Sequence, residues 1–170
     1  MTGEAVAFRK VVGNFATGVT VLTTSLDGRH VAMTANSFTS VSLDPPLVLV
    51  CVGRDAVMHH SLLASRCFGV SVLAADQEPV ARHFANRWRP LGLAQFDAVD
   101  WRPGRLTGTP LITGALAHFE CGLWRAYDGG DHTIFVGGLL SVERYESQDA
   151  VLFHHGRFHQ ITAERSEVVT

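Results

Sequence analysis

The chain has 170 residues, 46% of them apolar and 18% charged, and a formal net charge of −2 at neutral pH. That length suits one domain with a sizeable core, and that balance excludes an intrinsically disordered chain. Lys10 is the sole lysine among 14 basic residues and no basic stripe forms, which excludes a nucleic-acid footprint; no apolar run nears the roughly 20 residues of a bilayer span.

The opening Met1-Thr2-Gly3-Glu4 is unlike a signal peptide. Cys51, Cys67 and Cys121 are odd in number, widely spaced and set among apolar residues, as expected of buried thiols in a reducing cytoplasm. Ala5, Phe8, Val11, Val12 and Phe15 recur at helical spacing, predicting a short amphipathic helix that Gly18 ends. Residues 18–25 (GVTVLTTS) are rich in β-branched side chains, and Asp27-Gly28 predicts a tight hairpin with 30–38 returning antiparallel. Residues 47–52, after two prolines, read as a strand buried on both faces.

A short helix is expected over 57–64 and a strand over 67–73. Asp76 is the expected N-cap of a helix running to about Asn86, with Pro79 in its first turn. Residues 87–110 are aperiodic and proline-bearing, and read as a long surface loop exposing Trp88, Leu91, Leu93, Phe96 and Trp101. Three strands are expected over 111–124, 133–145 and 151–161, and a polar tail over 162–170. The pattern is mostly β: an antiparallel barrel with helical insertions, one domain over 1–170 with its core at about 6–161.

One stretch carries the chemistry. Residues 34–50 (TANSFTSVSLDPPLVLV) set Thr34, Asn36, Ser37, Thr39, Ser40 and Ser42 between two apolar strands, with no charge before Asp44. Hydroxyls and amides at that density suit a neutral ligand edge that both donates and accepts hydrogen bonds, such as the isoalloxazine ring of a flavin. The alternative is a Ser/Thr-rich connection whose side chains cap their own backbone.

Together with FATGVTVLTT (15–24), GDHTIFVG (130–137) and FHHG (153–156), this stretch resembles the flavin reductase family, the small reductase components of two-component flavin-dependent monooxygenases. The resemblance implies an antiparallel FMN-binding split barrel that is homodimeric. It implies FMN or FAD as flavin, NADH or NADPH as hydride donor, and an oxygenase component that receives the reduced flavin. It places the flavin against Thr34, Ala35, Asn36, Ser37, Ser40, Val41 and Ser42, and its phosphate near Cys51, Val52, Gly53 and Arg54. Asp55-Ala56-Val57 departs from the serine or threonine that many relatives carry there. Phe84 and Ala85 match positions that pack on the flavin, and Phe153, His154, His155 and Gly156 lie near the nucleotide, with Arg157 beside them.

His132 matches the position that contacts the nicotinamide. Its implied role is catalytic by positioning, since hydride transfer needs stacked rings more than a proton, with Asp131 orienting the imidazole. No metal is expected: His154 and His155, adjacent in a strand, would point to opposite faces, and neither they, His159 nor His59-His60 has a Cys or carboxylate at ligand spacing. No dinucleotide fingerprint, phosphate loop or nucleophile elbow is present. Two other functions fit the same barrel: a flavoprotein with tightly held flavin reducing another acceptor, and a non-catalytic flavin- or haem-binding protein.

Overall fold

A tight turn sets the register of the first hairpin. In the computed structural model, which describes residues 3–145 and 149–160, Asp27 and Gly28 take φ of 50° and 76°. These values suit the two-residue turn that matches strand twist. The turn joins β2 (Thr20–Leu26) to β3 (Arg29–Ala35), with Thr20 opposite Ala35 and Leu26 opposite Arg29. β4 (Thr39–Leu43) and β5 (Pro46–Gly53) form the next hairpin around Asp44 and a cis Pro45, with a register shift between Ser40 and Ser42.

β6 (Cys67–Val72) and the long ribbon of β9 (Ala117–Gly129) and β10 (His132–Arg144) complete a seven-stranded antiparallel sheet in the order β3-β2-β6-β9-β10-β5-β4. β1 (Thr17–Gly18), β11 (Val151–His154) and β12 (Arg157–Gln160) form a three-stranded sheet, and β7 (Trp101–Pro103) pairs with β8 (Pro110–Ile112). The α-helices among the described residues are α1 (Gly3–Val12), α2 (Val57–Ser65) and α3 (Glu78–Ala85). The architecture is a split barrel, as the resemblance implied, and it is antiparallel and mostly β, as the strand pattern implied. No described helix is long and apolar enough to cross a membrane.

Two cores meet across β2. Leu22 faces one with Val50, Met58, Leu62, Phe68 and Phe135; Val19 and Val21 face the other with Leu73, Ala81, Phe84, Phe96 and Ile112. α2 covers the first core and α3 the second. Gly137 is required in the first, because a Cβ there would run into the Phe68 ring. At about 25 cal/mol per Å² of apolar surface removed from water, these clusters are the main stabilising term.

The strand buried on both faces is therefore β2, not 47–52. Thr20 to Thr24 are all buried, whereas β5 alternates between buried Val48, Val50 and Val52 and half-buried Leu47, Leu49 and Cys51. Threonine hid this in the sequence. Its hydroxyls are tolerated inside because each finds a carbonyl: Thr20 donates to Ala35 at 2.8 Å, Thr23 to Pro110 at 2.6 Å and Thr24 to Cys67 at 2.7 Å.

Other boundaries shift for local reasons. α1 ends at Val12, not at Gly18, which is paired in β1. Asp76 lies in a 3₁₀ turn (Ala75–Gln77), and Gln77, without a side-chain cap, precedes α3. Residues 87–110 are not simply a surface loop: a 3₁₀ turn (Gly92–Phe96) buries Gln95 and Phe96, although Trp88, Leu91 and Leu93 are exposed. The Gln95 amide replaces missing strand partners, accepting from Ala32 N and donating to His30 O and Gly92 O. The expected strand over 151–161 is the β11–β12 hairpin, folded at His155-Gly156, with residue 161 and the tail expected at 162–170 outside the described residues.

Candidate flavin and nucleotide site

The end of the sheet where β5 and β9 finish and β10 begins brings together Cys51, Val52, Gly53, Arg54 and His132 of the residues singled out in the sequence. His132 opens β10 directly opposite Gly53, the last residue of β5. A Cβ at Gly53 would stand 3.7 Å from His132 Nε2, so the glycine leaves open space beside the imidazole. His132 Nδ1 lies 2.7 Å from Asp131 Oδ1. A carboxylate only accepts, so Nδ1 carries the proton and donates, which leaves Nε2 as the free acceptor of the neutral ring. That hydrogen bond, the largest cause, holds the Asp131 carboxyl below its ordinary range. The imidazole is about half exposed, open to a ligand.

Arg54 straps this corner together. Its backbone N–H donates to Asp131 O at 3.0 Å, its Nε to Gly130 O at 2.8 Å, and its guanidinium pairs with Asp128 at 3.0 Å. Asp128 also accepts from Gly130 N at 2.8 Å, and this bond, followed by the Arg54 charge, lowers its pKa. Much of the guanidinium assigned to a phosphate is thus spent on fixing the β9–β10 turn that presents His132. His59, below it on α2, lies 2.8 Å from Thr133 Oγ1, and burial lowers its pKa, with lesser help from His60 and Arg54.

The 34–42 stretch divides by role. Ser37 Oγ donates to Cys51 O at 3.1 Å and accepts from Cys51 N at 3.0 Å, a bridge from the edge of the site to β5. Thr34 Oγ1 donates to Ala81 O at 2.7 Å, tying β3 to α3. Asn36, Ser40 and Ser42 make no side-chain hydrogen bond among the described residues, and Asn36, Ser40 and Val41 are exposed on the edge beside β5. Thr34 and Ser37 thus bond backbone on α3 and β5 rather than capping their own.

Three other assignments change in detail. Val52 is fully buried, so that position can offer a ligand only its backbone; Ala35 is also buried. Phe84 is sealed into the second core while Ala85 is exposed. His155 is not in a strand but in the turn, with φ of 49°, and its ring stands 4.1 Å from that of His154 rather than on the opposite face. Even so, no metal-ligating group of three or more exists among the described residues. Phe153 packs on Phe158, with ring centroids 5.3 Å apart.

The sequence offered no reason to join α1 to the β11–β12 turn, yet the fold does. His155 N donates to Gly13 O at 2.9 Å, which seats the β11–β12 turn on the end of α1. A cavity of about 510 Å³ lies there, lined by Val6, Arg9, Lys10, Gly13, His155 and Gly156. The least of the causes lowering the Asp131 pKa, behind its bond to His132, is the charge of Arg9.

Comparison with known proteins bears on this arrangement directly. Residues 12–162 match the family model of the flavin reductase like domain. An NADH-dependent FAD reductase of Streptomyces globisporus is 53% identical over 164 residues, covering 96% of this chain and 90% of that protein. The crystal structure of BorF, the flavin reductase component of a bacterial two-component tryptophan halogenase, superposes with a TM-score of 0.88 at 59% identity, covering 92% of this chain and 98% of that one. The S. globisporus C-1027 NADH:FAD oxidoreductase SgcE6, solved with NAD and FAD fragments, gives a TM-score of 0.90 at 51% identity over 96% of each chain. This chain belongs to the flavin reductase family.

Proposed function

We propose that the protein is an NAD(P)H-dependent flavin reductase: it transfers hydride from the nicotinamide to FMN or FAD and releases reduced flavin to a partner monooxygenase. The observation that carries this reading is the Asp131–His132 pair at the sheet end opposite Gly53, two residues along β5 from the Ser37–Cys51 bridge. A flavin on the 34–42 edge and a nicotinamide held by His132 Nε2 share that end, and stacking the two rings is the main catalytic requirement. When bound, the flavin supplies the hydride acceptor. Asn36 and Ser40 offer hydrogen bonds to its polar edge, Gly53 leaves room, and Asp131 fixes the tautomer of His132. NADH with FAD is the preferred pair, in line with the activity borne by the S. globisporus relative.

The working form is a homodimer in the cytoplasm. Phe8, Val11, Val12 and Phe15 around α1, with Trp124, Tyr127, Leu140 and Val142 on the β9–β10 ribbon, are each at least half exposed in the single chain, an apolar area that a second copy would cover. Cys51, Cys67 and Cys121 are free thiols, in keeping with a reducing compartment.

Steady-state oxidation of NADH and NADPH with added FMN, FAD or riboflavin tests the reading. Turnover that requires added flavin and saturates with it is expected. A preparation that keeps its flavin through gel filtration and ignores added flavin would favour a tightly bound flavoprotein. No oxidation of either nucleotide would leave a non-catalytic binder.

A further inference from the structure

We infer that the cavity at the end of the β9–β10 ribbon away from His132 is a second ligand site, for a small neutral ring compound of the phenol or indole class that donates one hydrogen bond to His118 Nδ1. The cavity has a volume of about 230 Å³. It lies where Ala117 opens β9 opposite Arg144, at the far end of the ribbon from the Gly129–His132 pair. Arg102, His118 and Tyr145 line it, together with Ala115 and Leu116 from the turn that enters β9.

The protons of this cluster can be counted. His118 is 3% exposed, and its Nε2 lies 2.7 Å from Ile112 O, a carbonyl that only accepts. Nε2 therefore carries the proton, and Nδ1 is the acceptor of the neutral ring. Burial lowers the His118 pKa, which keeps the ring neutral at pH 7. Two groups approach Nδ1, Tyr145 Oη at 3.3 Å and Arg102 Nη2 at 3.5 Å. Neither has a proton to give. The Tyr145 hydroxyl donates to Glu143, and the two protons of Arg102 Nη2 go to Glu143 and, at 2.7 Å, to Tyr145 Oη. The charges of this cluster are thus paired with each other, and the group left open is a buried neutral acceptor beside the cavity. An acceptor left so costs free energy that a donor from a ligand recovers.

The surroundings define that ligand. Arg102 and Glu143 compensate each other, so the cavity favours neither an anion nor a cation. The volume falls below the roughly 300–1,000 Å³ of pockets for drug-sized molecules, which leaves room for one ring or a fused pair. The His118 and Tyr145 rings, with centroids 5.2 Å apart, and the flat Arg102 guanidinium offer planar surfaces on which a ring packs. A single water donates to Nδ1 but leaves Ala115 and Leu116 wet, whereas a phenol or an indole satisfies both.

The test titrates phenol and anisole into the protein carrying isotopically labelled histidine. Anisole keeps the ring and replaces the donor proton by methyl. The His118 Nδ1 resonance is assigned by its loss in His118→Phe, and affinities come from calorimetry, with melting temperature as a control. Phenol should bind saturably and shift that resonance, and anisole should bind more weakly by about two- to twelvefold, the worth of one hydrogen bond. His118→Phe should erase the preference for phenol. Ala115→Leu, which keeps the acceptor and narrows the cavity, should abolish saturable binding. Saturating FAD should leave phenol affinity as it was. An unmoved Nδ1 resonance, or equal affinities for phenol and anisole in wild type, would overturn the site and leave its acceptor to water. Displacement of phenol by FAD would overturn it too, because the ring would then occupy the flavin slot. Undiminished phenol binding in a folded Ala115→Leu variant would place the ligand outside this cavity.

Discussion

The two ends of the β9–β10 ribbon are built to opposite specifications. Near its closed end, Glu120 is 4% exposed and accepts hydrogen bonds from the backbone N–H groups of Arg105, Leu106 and Thr107 and from the Thr107 hydroxyl. Close by, His118 Nε2 donates to Ile112 O at 2.7 Å, and Arg102, Glu143 and Tyr145 form one bonded cluster. At the open end Asp128, Gly129, Gly130, Asp131 and His132 are exposed, and their contacts orient one imidazole without enclosing it. A buried charge must be satisfied on every side, while a ligand site must leave an acceptor free. One ribbon therefore carries a fully satisfied buried charge at one end and, at the other, an exposed imidazole that the proposed function assigns to recognition.

The contrast would break most visibly at Glu120. Burial pushes its pKa up, but the Thr107 hydroxyl and the three backbone donors outweigh this and hold it below the ordinary range. Glu120→Ala orphans those donors and should cost about 3–5 kcal/mol in urea unfolding, with Glu120→Gln costing less. If Glu120→Ala unfolds like wild type, the closed end is not the stabilising one.

Ser37 sits where the two specifications meet. Losing its double bridge to Cys51 in Ser37→Ala should cost about 1–3 kcal/mol of stability and also weaken flavin binding. Ser40→Ala, at an exposed position without such a bridge, should leave the melting temperature alone and weaken flavin binding by only a few fold. Equal melting temperatures for the two variants would erase the division within the 34–42 stretch.

At the open end, His132→Ala should raise the KM for NADH by roughly two- to twelvefold, the equivalent of about 0.5–1.5 kcal/mol for one hydrogen bond. Melting temperature and flavin affinity should stay near wild type. A joint loss of stability and of both ligands would make His132 structural.

The smallest effect expected is in the pH profile. Burial lowers the pKa of His118, offset by its bond to Ile112, and that of His59. The unfolded chain then binds more protons near the ordinary histidine pKa of about 6.5, so stability is complete above that value and declines as pH falls below it. Replacing His118 by Phe should flatten this slope. The slope persisting unchanged would move its origin elsewhere.

Local chemistry was legible in the sequence because it is carried by neighbouring residues. The Asp27-Gly28 turn, α2, β6 and the Asp131–His132 pair all follow from adjacent side chains and their geometry. The 34–50 and 130–137 motifs likewise carried the resemblance to the flavin reductase family, to which the chain belongs. Partners distant in sequence were not legible. Nothing in the spacing said that Ser37 would be spent on Cys51, that Arg54 would strap the β9–β10 turn, or that Gln95 would replace a strand partner for β3. Thr20 to Thr24 concealed a doubly buried strand, because only the assembled sheet supplies carbonyls that let hydroxyls go inside. The apolar face of α1 was legible, but what it meets was not: the helix leaves Phe8 and Val11 exposed and turns its cations toward His155. Periodicity determines which side chains share a face; the tertiary structure alone decides what that face meets, because contact depends on elements brought together from far along the chain.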